Sequence, residues 1–149
     1  MNKISPSVLY HYLIPTTLTK RKTLREFIIF IFKKERKALI ELNIIFCDDE
    51  YLLNLNQQFL HHNYYTDILS FPVSGPGKPL IAEIYISVDR VKDNAKNLDT
   101  RFNDELHRVI FHGILHFCGY KDKTRSEIRK MRTREDKYLK AYLSLPKKS

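Results

Sequence analysis

Two periods of apolar residues divide the chain. VLYHYLI (8–14), ALIELNIIFC (38–47), TDILSFPV (66–73) and LIAEIYIS (80–87) are short, rich in β-branched and aromatic residues, and bounded by turn formers, so they predict strands. The last two are joined by the turn-rich SGPGKP. Elsewhere the spacing lengthens to that of a helix. DDEYLLNLNQQFL opens on acids suited to a helix N-terminus and continues with Leu52, Leu55 and Phe59 one turn apart. TLREFIIFIFKKERK carries Thr23 and Glu26 at capping-box spacing and predicts a helix over about 23–37, although FIIFIF alone is strand-like. Ser87 stands where it can cap a helix through VDRVKDNAKNL, and two more helices are expected over about 102–118 and 124–143. The expected fold is α+β: one domain over residues 1–149, with a mixed sheet of about four strands packed against about five helices.

The helix over 104–118 carries the most unusual pattern. From Val109 onward it is apolar almost all round, with Ile110, Phe111, Ile114, Leu115, Phe117 and Cys118, which predicts a buried central helix. Within it, HGILHFCGYKD places His112 and His116 four residues apart, about 40° round the axis and one turn along it. Glu105 and Arg108 fall on nearly the same stripe. Buried imidazoles require partners. One reading makes them a core pair, bonded to backbone or to Asp67 or Glu83. The other makes them ligands of one cation, with Gly119 turning the chain at the helix end so that Asp122 comes back as a third ligand. Two imidazoles and a carboxylate suit one zinc ion per chain at the end of the helix, with a position left for water. Gly113 occupies the place of the glutamate in the HExxH pattern of zinc proteases, which argues against that chemistry.

Charge adds a partner. The formal net charge is +9, and residues 121–149 hold 11 basic and 4 acidic residues while the rest of the chain is nearly balanced. A basic C-terminal region fits a polyanion such as RNA, with Arg108, Arg125, Arg129, Lys130 and Arg132 as candidate phosphate contacts and Tyr64 and Tyr65 as candidate base platforms. RSEIRKMRTREDKYLKAYL also has helical apolar spacing at Ile128, Met131, Leu139 and Tyr142, so its charges equally describe a solvated helix face. Cys47 and Cys118 lie in apolar segments and read as buried thiols. The longest strictly apolar run, FIIFIF, is far short of a membrane span. The first residues lack a signal peptide's apolar core, being interrupted by His11 and prolines, so a cytoplasmic address is expected.

HGILHFCGYKD resembles the signature HGxLHLxGYDH of the YbeY family, bacterial endoribonucleases of ribosomal RNA maturation. His112, Gly113, Leu115, His116, Gly119 and Tyr120 match it. LNQQFLHHNYYTDILSFP resembles the family's LN-x-x-[YF]-R…TDVLSFP, and IAEIYISVDRVKDNA resembles its GDI-x-I…A stretch. Together the three segments cover roughly residues 38–122. The resemblance implies a single-strand-specific, zinc-dependent endoribonuclease with His112 and His116 as catalytic residues and His112, His116 and Asp122 on the metal. It further implies action on ribosomal RNA at the 3′ end of the 16S molecule and in ribosome quality control, with the small subunit as partner and neither membrane nor nucleotide cofactor.

The departures fall at the chemistry. The family's third histidine aligns with Asp122 and its preceding aspartate with Lys121. Its catalytic arginine aligns with Leu60, and its GD pair with Ala82-Glu83. His61, His62 or Arg108 are candidates to replace the arginine, the two histidines being equally plain loop residues. Asp67 and Glu83 are candidates to hold the histidines. Two other readings stay open: an RNA-binding ribosome-assembly factor with a structural metal, and a zinc hydrolase of a small substrate.

Overall fold

The computed structural model describes residues 5–146. The elements run β1 (Ser7–Tyr12), α1 (Arg21–Lys34), β2 (Leu39–Cys47), α2 (Asp49–Leu60), β3 (Ile68–Pro72), β4 (Leu80–Ser87), α3 (Val88–Asn97), α4 (Phe102–Phe117) and α5 (Arg125–Leu143). The strands order as β1-β2-β4-β3. β1 and β2 pair parallel, as do β2 and β4, whereas β3 returns antiparallel along β4. The expected mixed four-stranded sheet with five helices is what forms.

Each parallel step needs a crossover helix, and α1 supplies the first between β1 and β2. Its FIIFIF run obeys the helical period: Phe27, Ile28, Ile31 and Phe32 are buried while Phe30 is exposed. Burying each such side chain contributes about 1.5–3 kcal/mol, so the packed stripe outweighs the strand-like local preference. The boundaries of α1 differ from those expected. It starts at Arg21, two residues before Thr23, after Lys20 takes a left-handed conformation, and no side chain caps it. The Thr23–Glu26 capping box does not form, because Thr23 already lies inside the first turn. At the other end Arg36 is left-handed, and the helix stops at Lys34.

Other caps follow the sequence. Asp48 accepts from Tyr51 N–H, Ser87 from Arg90 N–H, and Thr124 and Glu127 close a reciprocal capping box at the start of α5. On α5 the buried stripe is Met131, Glu135, Tyr138 and Tyr142. Ile128, expected on that face, is exposed, since it lies in the first turn before α5 meets the core. Cys47 is buried and Cys118 half-buried, both as free thiols, and burial pushes each up to about 12.

α4 lies in the core with Leu106, Val109, Ile110, Phe111, Ile114 and Leu115 buried. His107, on the same helix, is buried among aromatic rings, and burial pushes its imidazole down to about 4. The folded state therefore binds this proton less readily than the unfolded chain. The neutral ring's contribution is complete above about pH 6.5 and is lost as pH falls toward 4, on the order of 3 kcal/mol in all. Melting temperatures followed from pH 7 to 4 are expected to fall more steeply for the wild type than for His107→Phe. Parallel curves would remove His107 from the account.

Candidate metal centre

One turn of α4 and the loop behind it assemble the site. His112 and His116 project from the same face, with ring centroids 4.6 Å apart and Nε2 atoms 3.0 Å apart. Beyond Phe117 the helix closes through Cys118, and Gly119 takes φ +100°, a conformation costly for any residue with a Cβ. The N–H of Tyr120 returns to the carbonyl of Leu115 at 3.0 Å. The reversed chain then brings Asp122 Oδ2 to 3.3 Å from both Nε2 atoms before Thr124 caps α5. Asp122 thus sits between two anchored structures, as the turn after Gly119 led one to expect. The three side chains form a group that could hold a metal ion, their ligand atoms lying within 4.8 Å of one another.

The remaining ring nitrogens determine what the cluster can hold. His112 Nδ1 lies 2.5 Å from Glu135 Oε2, and His116 Nδ1 lies 3.1 Å from the carbonyl oxygen of Tyr120. A carbonyl and an ionised carboxylate only accept, so in each neutral ring the proton sits on Nδ1. Both Nε2 lone pairs then point at each other and at a carboxylate oxygen. With both rings neutral, three acceptors converge with no hydrogen among them, an arrangement that a bound cation would satisfy. Metal bonds of about 2.0–2.1 Å at tetrahedral angles place ligand atoms roughly 3.3 Å apart, close to the separations found. The donor set therefore fits a divalent ion such as zinc.

Behind His112 lies a buried charge network. Glu135, only 2% exposed, accepts from His112 with one oxygen and from Arg108 Nη1 at 2.9 Å with the other. Arg108 also donates from Nε at 2.8 Å and from Nη2 to Glu105, which is equally buried. Burial alone would pull the His112 imidazole down, but its hydrogen bond to Glu135 and the charges of Glu135, Asp122 and Asp67 outweigh it and hold it above its ordinary value. Glu135 is likewise pushed up by burial, yet His112 and Arg108 bring it below the usual carboxylate range.

Several expected residues lie elsewhere. Neither Asp67 nor Glu83 bonds a histidine. Asp67 lies on the wall of the site cavity, accepts from Asn94 Nδ2 at 3.1 Å, and is raised by burial against the pull of His112 and Arg108. Glu83 belongs to β4, in register with Asn43 and Phe71. The partner is instead Glu135, whose signal in the sequence was a carboxylate on the Met131–Tyr138–Tyr142 stripe. Arg108, expected at a phosphate, has its guanidinium committed to the two glutamates and its side chain 14% exposed. Leu60 is exposed at the end of α2; His61 caps that helix, and His62 stacks on Tyr64 and shares a 2.9 Å hydrogen bond with its hydroxyl. Tyr64 and Tyr65 are exposed rather than core. Arg125, Arg129, Lys130 and Arg132 are all exposed on α5. Arg129 and Lys130 line a groove of about 420 Å³ beside Tyr120, over whose ring the guanidinium of Arg134 lies at 5.6 Å.

Opposite the ligands, β3 closes a cavity of about 500 Å³ whose walls include Asp67, Ile68, Ser70 and Phe117. Gly113 permits that approach: a Cβ there would stand 2.6 Å from Ile68 Cδ1 and 3.0 Å from Ile84 Cδ1. A glutamate at this position would have to displace the tips of Ile68 and Ile84.

The family model described as Endoribonuclease YbeY matches residues 14–143. A Cytophaga hutchinsonii protein named Endoribonuclease YbeY is 50% identical over 130 residues, covering 87% of this chain and 88% of its own. A Porphyromonas gingivalis protein of the same name is 46% identical over 120 residues, covering 80% and 79%. Among solved structures, a Thermotoga maritima protein determined in solution superposes with a TM-score of 0.62 at 28% identity, over 91% of this chain and 88% of that one. With its ordered motifs, its mixed sheet and these relatives, the chain belongs to the endoribonuclease YbeY family.

Proposed function

We propose that this chain is a zinc-dependent endoribonuclease specific for single-stranded RNA, acting in ribosomal RNA processing at the 3′ end of 16S RNA and in ribosome quality control, with the small subunit as partner in the cytoplasm. The observation that carries it is the convergence of two Nε2 lone pairs and the Asp122 carboxylate at the rim of a cavity. Family membership supplies the substrate class. Among the described residues no helix is long and apolar enough to cross a membrane.

Held by His112, His116 and Asp122, a zinc ion would supply Lewis acidity toward a phosphate oxygen and a water whose pKa is lowered to about 7. The protein's residues supply the rest. Glu135 and the Tyr120 carbonyl fix both Nδ1 protons, so the imidazoles present lone pairs in one orientation. Asp122 adds a negative charge where the family signature has a neutral histidine. Arg129 and Lys130, with Arg125 and Arg132 on the same helix, hold phosphates of the strand outside the cavity. Tyr64 and Tyr65 offer exposed rings on which bases can stack.

One observation favours a second reading. Among the described residues lining the site cavity there is no lysine or arginine, and Leu60 leaves none at the end of α2. A binding factor with a structural metal would look the same. Cleavage of a labelled single-stranded RNA by chelator-treated protein, before and after zinc is restored, separates the two. The enzyme requires metal and loses cleavage in His116→Ala while still binding RNA. Binding without metal-dependent cleavage in the wild type establishes the factor. In the same series, Arg129→Ala and Lys130→Ala are each expected to lower the salt dependence of RNA binding by about 0.7 in log–log slope.

A further inference from the structure

Beyond the groups that touch His112 and His116, one carboxylate joins their supports. Glu35, at the C-cap of α1, accepts from the Tyr120 hydroxyl at 2.8 Å with one oxygen and from the Tyr138 hydroxyl with the other. The two tyrosines stand on the two elements that hold the histidines. Tyr120 belongs to the turn after Gly119, and its carbonyl accepts from His116 Nδ1. Tyr138 lies on α5 one turn beyond Glu135, which accepts from His112 Nδ1. Glu35 is 85 residues from Tyr120 and 103 from Tyr138, so only the fold brings the three together.

Such a tie matters most at the turn. Between Gly119 and Thr124 the backbone has no regular structure, yet it carries Asp122, whose side chain is 40% exposed. An exposed ligand on a loop loses conformational freedom when it binds, and that loss weakens the site unless the loop is ordered beforehand. Tyr120 orders it from three sides. Its N–H returns to the Leu115 carbonyl at 3.0 Å, its own carbonyl meets His116, and its hydroxyl reaches Glu35. Of these three bonds only the last ties the turn to α1. The Arg134 guanidinium, 5.6 Å over the Tyr120 ring, holds the ring from α5. Burial and the adjacent Glu35 carboxylate hold both phenols above their ordinary value, so each stays a donor. Hydrogen bonds of this charge-assisted kind are about twice as strong as neutral ones.

We infer that Glu35 is a positioning residue of the metal centre. Through the Tyr120 hydroxyl it fixes the turn that presents Asp122 and the carbonyl partner of His116, and through Tyr138 it steadies the helix that carries Glu135. Among the described residues its carboxylate bonds no metal-ligating side chain, so it acts through its two tyrosines. The inference rests on the metal-centre reading and is independent of whether RNA is cut.

The test combines zinc affinity of the full chain, by competition against a chelator, with amide hydrogen exchange of the metal-free protein. Glu35→Ala and Tyr120→Phe are each expected to weaken zinc by about tenfold, the low end for losing a partner of a ligating histidine. The double variant binds no more weakly than Glu35→Ala alone, because Tyr120 has then already lost its acceptor. In metal-free Tyr120→Phe the amides of Gly119 and Tyr120 exchange faster while those of β2 and β4 keep their rates. Ile31→Val, in the core on the same helix as Glu35, serves as the control: it lowers the melting temperature and leaves zinc affinity unchanged. Where Glu35→Ala does not fold, Tyr120→Phe decides alone, since it keeps the ring and its packing. Unchanged zinc affinity in Tyr120→Phe, or additive weakening in a folded double variant, overturns the inference. A wild type that binds no zinc contradicts the metal-centre reading, and exchange then decides this one: selective acceleration of the turn amides upholds Glu35 as the clamp of the turn, and unchanged rates overturn it.

Discussion

Replacing Arg108 with leucine is expected to remove about 3–5 kcal/mol of folding stability, the usual cost of stranding buried charges by deleting their partner. Glu105 and Glu135 are each 2% exposed, and Arg108 is the cation that both of them bond. Without it, Glu135 keeps only His112, and Glu105 loses its salt bridge. Against a typical total of about 5–15 kcal/mol, such a loss leaves a marginal protein. The pH dependence has a definite sign. In the wild type His112 and Arg108 hold Glu135 below its ordinary value, so its contribution is lost as pH falls through the carboxylate range; deleting Arg108 removes one cause of that depression, and the variant's deficit relative to wild type is expected to narrow as pH falls from 7 toward 4. Urea unfolding of wild type and variant at both pH values measures this. A loss below about 0.5 kcal/mol, the range of ordinary surface substitutions, together with weakened RNA binding would place Arg108 on the surface as a phosphate contact instead.

Glu135→Gln is expected to weaken zinc binding by about 10–100-fold while leaving the ligands themselves in place. The carboxylate accepts from His112 Nδ1 with one oxygen and from Arg108 with the other. Glutamine has only one oxygen. If that oxygen serves Arg108, the amide NH₂ faces His112 and favours the opposite tautomer, with the proton on Nε2 and directed into the ligand triangle. Competition against a chelator of known affinity reads the effect directly. A lowered melting temperature with unchanged zinc affinity would reduce Glu135 to a packing role and contradict the account.

What was legible in the sequence was local. HGILHFCGYKD spans one helical turn and one helix end, and its period, turning glycine and following acid are short-range properties that survive folding unchanged. The same holds for the Ser87 cap and for the alternation that made 80–87 a strand. The support of the site was not legible in that way. Glu135 is 23 residues from His112 and 27 from Arg108, and their meeting depends on how α5 crosses α4. A carboxylate on an otherwise apolar stripe was its only trace. Arg108 misled for a related reason: an arginine beside a proposed RNA site reads as a phosphate contact until its buried acids are seen. The start of α1 was misplaced because Lys20 enters the helix through a left-handed backbone that no side-chain pattern announces.

The departures from the family signature have one physical reading at the metal. Asp122 would contribute an anion where a histidine would be neutral, which would balance a divalent charge more fully and lower its pull on a phosphate oxygen. Leu60 removes a cation that would otherwise steady the phosphate. On the proposed reading both changes would act on the rate of cleavage, and occupancy of the site would rest on His112, His116 and Asp122.

That occupancy is the central claim, and elemental analysis of the purified, untagged protein tests it most directly, with wild type beside Asp122→Ala. The account predicts about one zinc per chain in the wild type, lost or much weakened in the variant, since two imidazoles alone leave the triangle open. A wild type that carries no metal and acquires none on titration would contradict it: the two Nε2 atoms and the carboxylate would then have to share protons among themselves, as a structural cluster of a protein that binds RNA without cutting it.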